Sequence, residues 1–320
     1  MKEKQEEDEK MSANVETMFS VREKPWHGLG KIVEKAPDSR TALYLAGLNW
    51  QVEQKDVYTD DGFIIPGYKV NVRETDLATL GIVSDRYRVV QNEEAFAFSD
   101  ELLNEGVRYE TAGALQGGKK VWILAKMPER YEILGDEIEP YFLLMNSHDG
   151  SSGFTVAMTP VRVVCNNTLN LALKTAPRMW VSRHTTNVLS RMVEAQETFV
   201  KVRDYMKALD DELEELAAKR LTGQAVTRML AQFFPQEEDM SDMQKKNNRK
   251  QLMDLRSRYF DAPDLKDMGH NGYRFINAVA DFTTHAQPMR RTENYNENLF
   301  LRTANGNTMI DKAYKMLKAA

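Results

Sequence analysis

The residues whose types could do chemistry are few: five histidines, one cysteine and one glycine–lysine loop. The loop, Gly113-Ala114-Leu115-Gln116-Gly117-Gly118-Lys119-Lys120, nearly matches a phosphate-binding loop. The final position of that motif needs a hydroxyl to hold magnesium, and here it is Lys120. The motif must also open a helix whose N-terminal amides hold phosphate, whereas Val121-Trp122-Ile123-Leu124 reads as a strand. A hairpin turn is therefore expected. Gly28-Leu29-Gly30 lacks the third glycine of a dinucleotide fingerprint and follows no strand. Cys165, with His148 or His184 as base, has the residue types of a nucleophilic pair. It ends an apolar strand beside Val161 and Val163, so a buried, inert thiol is the expected reading. His27, His148, His184, His270 and His285 show no pair at metal-ligand spacing. Asp264 and Lys266 have the types of a nuclease pair but lie in a polar loop between helices. No catalytic residue, metal or cofactor is expected.

The elements that must position these residues fall into two parts. Met1 to Lys10 holds five acids and three lysines, so residues 1–14 read as a solvated, disordered tail. A helix fits Asp38 to Leu48. Extended runs at 50–58 and 63–73 flank the turn Thr59-Asp60-Asp61-Gly62. Short strands fit 78–83 and 87–91, and Asn92 then caps a helix. Two more hairpins fit 107–126, around Gln116-Gly117-Gly118, and 141–165, around Ser147 to Gly153. Strands joined by hairpins favour an antiparallel sheet. The fold class is α+β: a sheet-rich part over 15–185 and a helical part over 186–320.

The helical part opens on the strongest pattern in the chain. Val188, Met192, Ala195, Phe199, Val202, Met206, Leu209, Leu213 and Leu216 alternate at spacings of four and three, a heptad seam. One long helix over Asn187–Lys219 is expected. It either packs on the Asp242–Tyr259 helix through Leu252, Leu255 and Tyr259, or self-associates through residues 188–216. Further helices fit 224–234, 272–285 and 308–319.

Composition removes other classes. The chain is 42% apolar and 28% charged, which suits a globular core. No long apolar window suggests a membrane span, and nothing in the charged N-terminus resembles a signal peptide, so a cytoplasmic location is the default. One cysteine excludes a disulfide framework. Although the net charge is -5, residues 150–193 contain Arg162, Lys174, Arg178, Arg183 and Arg191 and no acid. Trp180 and His184 lie among them. Cations interleaved with aromatics suit a surface that tracks phosphates and stacks bases. Strand alternation adds Lys120, Trp122 and Lys126 as a second stacking face, with Val121, Ile123 and Ala125 opposite. The candidate nucleic-acid-binding residues are thus Arg162, Lys174, Arg178, Trp180, Arg183, Lys120, Trp122 and Lys126.

Four segments carry a family resemblance: Tyr87 to Phe96, Glu110 to Gly118, Asn146-Ser147-His148-Asp149-Gly150, and above all Thr159 to Leu169. With Trp26 to Gly30 and Asn277-Ala278-Val279, they resemble the phage/plasmid-like protein family, domain of unknown function number 932, over residues 15–319. The resemblance implies a mobile-element setting and supplies no mechanism. By analogy of context it suits an accessory that binds single-stranded nucleic acid in recombination or replication. Arg162 beside a helix capped by Asn166 or Asn167 would then form a phosphate site. Two alternatives stand beside it: a protein-binding module acting against a host defence system, and a hydrolase using His148 with Asp149.

Overall fold

The computed structural model describes residues 15–21, 31–33, 39–103, 108–162, 167–171, 173, 178–190, 202–289 and 308–319. Cys165, Lys174 and the seam residues Met192, Ala195 and Phe199 lie outside them, as does the 1–14 tail.

The architecture is α+β. The large sheet contains β1 (Val15–Val21), β2 (Lys31–Val33), β6 (Arg108–Leu115), β7 (Lys120–Lys126), β8 (Tyr131–Ile133), β9 (Asp136–Ser147), β10 (Phe154–Arg162), β11 (Asn167–Thr168) and β12 (Met179–Ser182). Its order is β11-β10-β9-β7-β6-β1-β2, with β12 also on β10 and β8 also on β9. Every pairing is antiparallel except β1 with β2. A second sheet holds β3 (Val52–Tyr58), β4 (Ile64–Arg73) and β5 (Thr79–Ser84) in that order.

The hairpins form where local chemistry demands them. Gly62 takes φ +83° in the β3–β4 turn, and Thr59 Oγ1 accepts the N–H of Phe63. Gln116, Gly117 and Gly118 all take positive φ between β6 and β7. The glycine–lysine loop is therefore a strand-to-strand turn. Residues 87–91, by contrast, form no strand.

Helices cover the sheets. They are α1 (Ser39–Leu45), α2 (Asn92–Leu103), α3 (Val202–Ala218), α4 (Gly223–Ala231), α5 (Asp242–Phe260), α6 (Gly272–His285) and α7 (Thr308–Ala319), with a 3₁₀ turn at Pro263–Met268. The central helix is α6, whose apolar residues are buried on all sides as it packs on α3, α5, α7 and β11. A Cβ added at Gly272 would lie 2.7 Å from the Leu216 carbonyl oxygen, so only glycine lets α6 pass the end of α3.

The described seam residues Val188, Val202, Met206, Leu209, Leu213 and Leu216 are all buried within this one chain. Leu255 and Tyr259 of α5 are buried in the same core, with Leu252 packed against it. The described part of the seam is thus covered intramolecularly, and none of those six residues is exposed for the self-association expected through 188–216. Residues 188–190 and 202–218 are helical, while the middle of the expected helix lies outside the described residues. Helices and sheet share one core. The Tyr205 hydroxyl donates to the Leu171 carbonyl at 3.0 Å, and Tyr273 donates to Asp136 of β9.

Candidate functional site: a polar cluster at one sheet end and a basic helix face

One end of the large sheet gathers unusual chemistry. Lys120 pairs with Ser147 in the β7–β9 register, and the β9–β10 connection runs from there to Phe154. This connection packs on the small sheet: a Cβ on Gly81 of β5 would lie 2.5 Å from Asp149 Cα. Only glycine permits that approach, and it pins His148 under β4.

His148 is fully buried. Its Nε2 lies 3.0 Å from Asn92 Oδ1, and Asn92 Nδ2 donates to the Leu48 carbonyl at 3.0 Å. The amide is thereby oriented so that His148 Nε2 carries the proton. Asn71 Nδ2 donates to the His148 carbonyl at 2.6 Å, and Trp50 meets the ring edge-on at 5.4 Å. His184 stacks on Tyr87 at 4.6 Å, and its Nδ1 lies 3.1 Å from the Arg88 carbonyl. The Tyr87 hydroxyl donates to the Ser147 carbonyl, and Asn146 Nδ2 donates to the Val90 carbonyl at 2.8 Å. Burial, with His184 adding in the same direction against Asp149, pulls His148 down to about 3. Burial likewise pulls His184 down to about 4, against its bond to Arg88. Both imidazoles are neutral at physiological pH.

Asp149 is turned elsewhere. Its Oδ1 accepts from Ser147 Oγ and from the Ser151 N–H at 2.9 Å. Partial burial opposes ionisation, but those bonds and nearby Lys120 outweigh it and hold the carboxyl below its usual range. The His148–Asp149 pairing expected for a hydrolase is therefore not made: His148 faces Asn92, and no part of it reaches solvent.

Asn92 was expected to cap α2. Gln91 takes that place, with its backbone N–H donated to Glu94 at 2.7 Å. The Gln91 side-chain amide also binds both the N–H and the carbonyl of Val52, each at 2.9 Å, which seals the edge of β3. Asn92 is thereby freed to hold His148.

The structure separates the eight candidate nucleic-acid residues. Trp122 is only 1% exposed, because both faces of β7 are covered, so it is a core residue and no stacking platform. Arg178 is buried, and its Nη1 donates to the Met158 carbonyl at 3.0 Å. Burial lowers its pKa, against Tyr205 and Asp311. It serves the fold and is not free for phosphate. Lys126 is spent on Glu139 at 2.6 Å. Trp180 is half-buried, edge-on to Phe154 at 6.4 Å. Arg162 lies in β10 opposite Asn167, with its side chain outside the described atoms, as is all of Lys174. Asn167 is in β11 rather than at the start of a helix, so it cannot cap one beside Arg162, and Asn166 lies outside the described residues. Arg183 is exposed, and Lys120 stands half-buried on the rim of the polar cluster.

A second basic surface was not anticipated. Helix α5 has six basic residues against two acids. Lys246, Arg249, Lys250 and Arg256 are exposed, and none makes an ion pair among the described residues. At 3.6 residues per turn they share an arc of about 140° with Met243 and Met253. Those two methionines are 66% and 71% exposed. Asp242 stands at the N-terminal end of the arc, where the helix dipole favours an acid. Ser241 and Gln244 form a capping box that starts the helix, and Leu255 and Tyr259 anchor its other side. The cation count was visible in the sequence; the shared, unneutralised face needed the helix.

A family model described as a domain of unknown function (DUF932) matches residues 79–304. The chain belongs to this family. Two of the segments that carried the resemblance meet in the polar cluster: Tyr87, Val90 and Asn92 of one bond Ser147, Asn146 and His148 of the other. The DUF932 match also contains the whole of α5 and leaves out α1, β3 and β4. No curated protein and no solved structure matches the chain. Among the described residues no helix is long and apolar enough to cross a membrane, and no cluster of three or more His, Cys, Asp or Glu side chains is placed to hold a metal.

Proposed function

We propose that this DUF932 chain binds the phosphate backbone of single-stranded nucleic acid, as a cytoplasmic accessory in recombination or replication of a mobile element. The observation that carries the reading is the α5 face. Lys246 to Arg256 spans about 15 Å of helix, long enough to run beside several consecutive phosphates of a strand. Four exposed cations stand on it with no ion pair, in a chain of net charge -5. Arg183, Lys119 and Lys120 at the sheet end supply a second group. Lys119 is held to the polar cluster through its carbonyl, which accepts the His148 N–H at 2.7 Å.

Fluorescence anisotropy with a labelled oligonucleotide across a salt series tests it. Four contacts on α5 give a log–log salt slope of about -3, from about -0.7 per contact on a single strand. Arg249→Ala with Lys250→Ala flattens the slope by about 1.4, whatever the base sequence. No binding at low micromolar protein in low salt ends the reading.

The protein-binding alternative has its own support. Tyr58, Phe63, Ile64, Tyr68 and Ile82 are all more than half exposed on the small sheet, a concentration of apolar surface that soluble chains use for partners. Stable capture of a protein partner, abolished by Phe63→Ser with Tyr68→Ser, together with no oligonucleotide binding, is the result that favours it.

A further inference from the structure

Helices α1 and α2 face each other across a cleft of about 580 Å³. That lies within the range of about 300–1,000 Å³ typical of small-molecule sites. Arg40, Leu43 and Tyr44 line it at helical spacing i, i+3, i+4. Glu93, Ala97 and Asp100 line the opposite wall at i, i+4, i+7. Asn49, Trp50 and Gln51 form the floor. The sheet-end cluster lies just behind, since Trp50 also touches His148.

Two features set this cleft apart from an ordinary surface dent. First, its charges are unspent: Arg40 and Glu93 are exposed, and neither they nor Asp100 form an ion pair among the described residues. Among the described residues Asp100 Oδ1 accepts the Tyr109 hydroxyl, at 3.2 Å. Second, an aromatic wall stands open beside them, with Tyr44 71% exposed. One cation, two carboxylates, two amide side chains and a bare ring are a complementary set for a nucleotide unit. A phosphate pairs with a guanidinium, and ribose hydroxyls or an exocyclic amine donate to carboxylates. The base stacks on the ring while its edge meets the amides, which both donate and accept.

We propose that the α1–α2 cleft binds one nucleotide unit, with Arg40 on the phosphate, Tyr44 under the base, and Glu93 and Asp100 on its hydroxyl and amine donors. The cleft stands apart from the α5 surface and does not rest on it. The same chemistry is presented by a free nucleotide and by one residue of a strand, and the test separates them.

The experiment is calorimetric titration of the full chain with adenosine 5′-monophosphate, beside oligonucleotide anisotropy. A saturable signal with Kd below about 1 mM is expected. Tyr44→Ala weakens binding at least tenfold, and Tyr44→Phe restores it. Arg40→Gln weakens the monophosphate and leaves adenosine unchanged, a split that a merely structural role would not produce. If only the oligonucleotide loses affinity in Tyr44→Ala, and the free monophosphate does not bind, the cleft takes a strand residue. If the monophosphate binds while no oligonucleotide does, the cleft stands and the strand reading fails. The proposal is overturned if Tyr44→Ala changes neither titration, or if spermidine binds the cleft and the monophosphate does not.

Discussion

The sheet-end cluster and the outer face of α5 are both polar, yet they obey opposite rules. At the sheet end, His148, His184, Asn92, Asn146 and Tyr87 are buried; His148 binds the Asn92 side chain, and the other four bind the backbone carbonyls of Arg88, Leu48, Val90 and Ser147. A buried donor or acceptor without a partner costs about 1–3 kcal/mol, so each of these residues spends at least one polar atom on a neighbour, while Asn146 Oδ1, His148 Nδ1 and His184 Nε2 have no partner among the described residues. On α5, Lys246, Arg249 and Lys250 are solvated and owe the fold almost nothing, and Arg256 adds a contact over the Phe260 ring at 5.0 Å. Change at the first region should therefore read out as stability, and change at the second as binding. A region named by its polar residues alone does not reveal which of the two it is.

The sharpest way to break this contrast lies at a stacking candidate that the large sheet buries. Trp122→Ala should destabilise by about 4 kcal/mol, the usual range for a buried large aromatic, measured by denaturant melts. A loss under 1 kcal/mol would show that Trp122 is accessible after all and would return it to the binding surface. Asn92→Ala should cost about 3 kcal/mol, because it strips the Leu48 carbonyl and His148 Nε2 of partners in one step. If Asn92→Ala melts like the wild type, the cluster is not the tightly bonded structure described.

Acid should act on the sheet end alone. The folded-state pKa values of His148 and His184, about 3 and about 4, lie below the ordinary value of 6.5. Between those values and 6.5 the unfolded chain binds protons that the folded chain refuses. Stability is then full above about pH 7 and falls as the pH drops, by about 2 kcal/mol per histidine at pH 5. Asp149, whose pKa is lowered against its burial, adds to the loss only below the ordinary carboxylate range. Urea melts at pH 8, 6.5, 5.5 and 5 measure this, and His184→Gln should remove part of the dependence. A flat profile from pH 7 to 5 contradicts the burial of both rings. The smallest effect belongs to α5: Arg249→Ala with Lys250→Ala should move stability by less than about 0.5 kcal/mol, while the salt slope flattens. A large loss of stability there would mean that α5's cations are structural, and the contrast would collapse.

What could be read from the residues, and what could not, follows the range of the interactions. Turns were legible at Thr59–Gly62 and Gln116–Gly118 because a positive φ is a property of the residues at that point. Helix α6 was legible to the residue, and α7 likewise, because apolar periodicity is local. The α+β class followed from the switch between hairpin and helical patterns. Tertiary structure alone decided the rest. Alternation along β7 separated Trp122 from Val121 but could not say that both faces of the strand would be covered. The acid-free run around Arg178 marked missing carboxylates, but whether a guanidinium meets solvent or a carbonyl 20 residues away depends on strand pairing. Asn92 had the chemistry of a cap, and a histidine 56 positions later claimed it. Local chemistry was enough for the turns, for the central hairpins and for α6 and α7, but not for 87–91, which forms no strand, nor for β1, β2, β8, β11 and β12, which exist only because a partner strand pairs with them. Which polar groups would be buried together and which left to solvent was decided only when distant segments met, because desolvation depends on everything packed around a group and not on its neighbours in the chain.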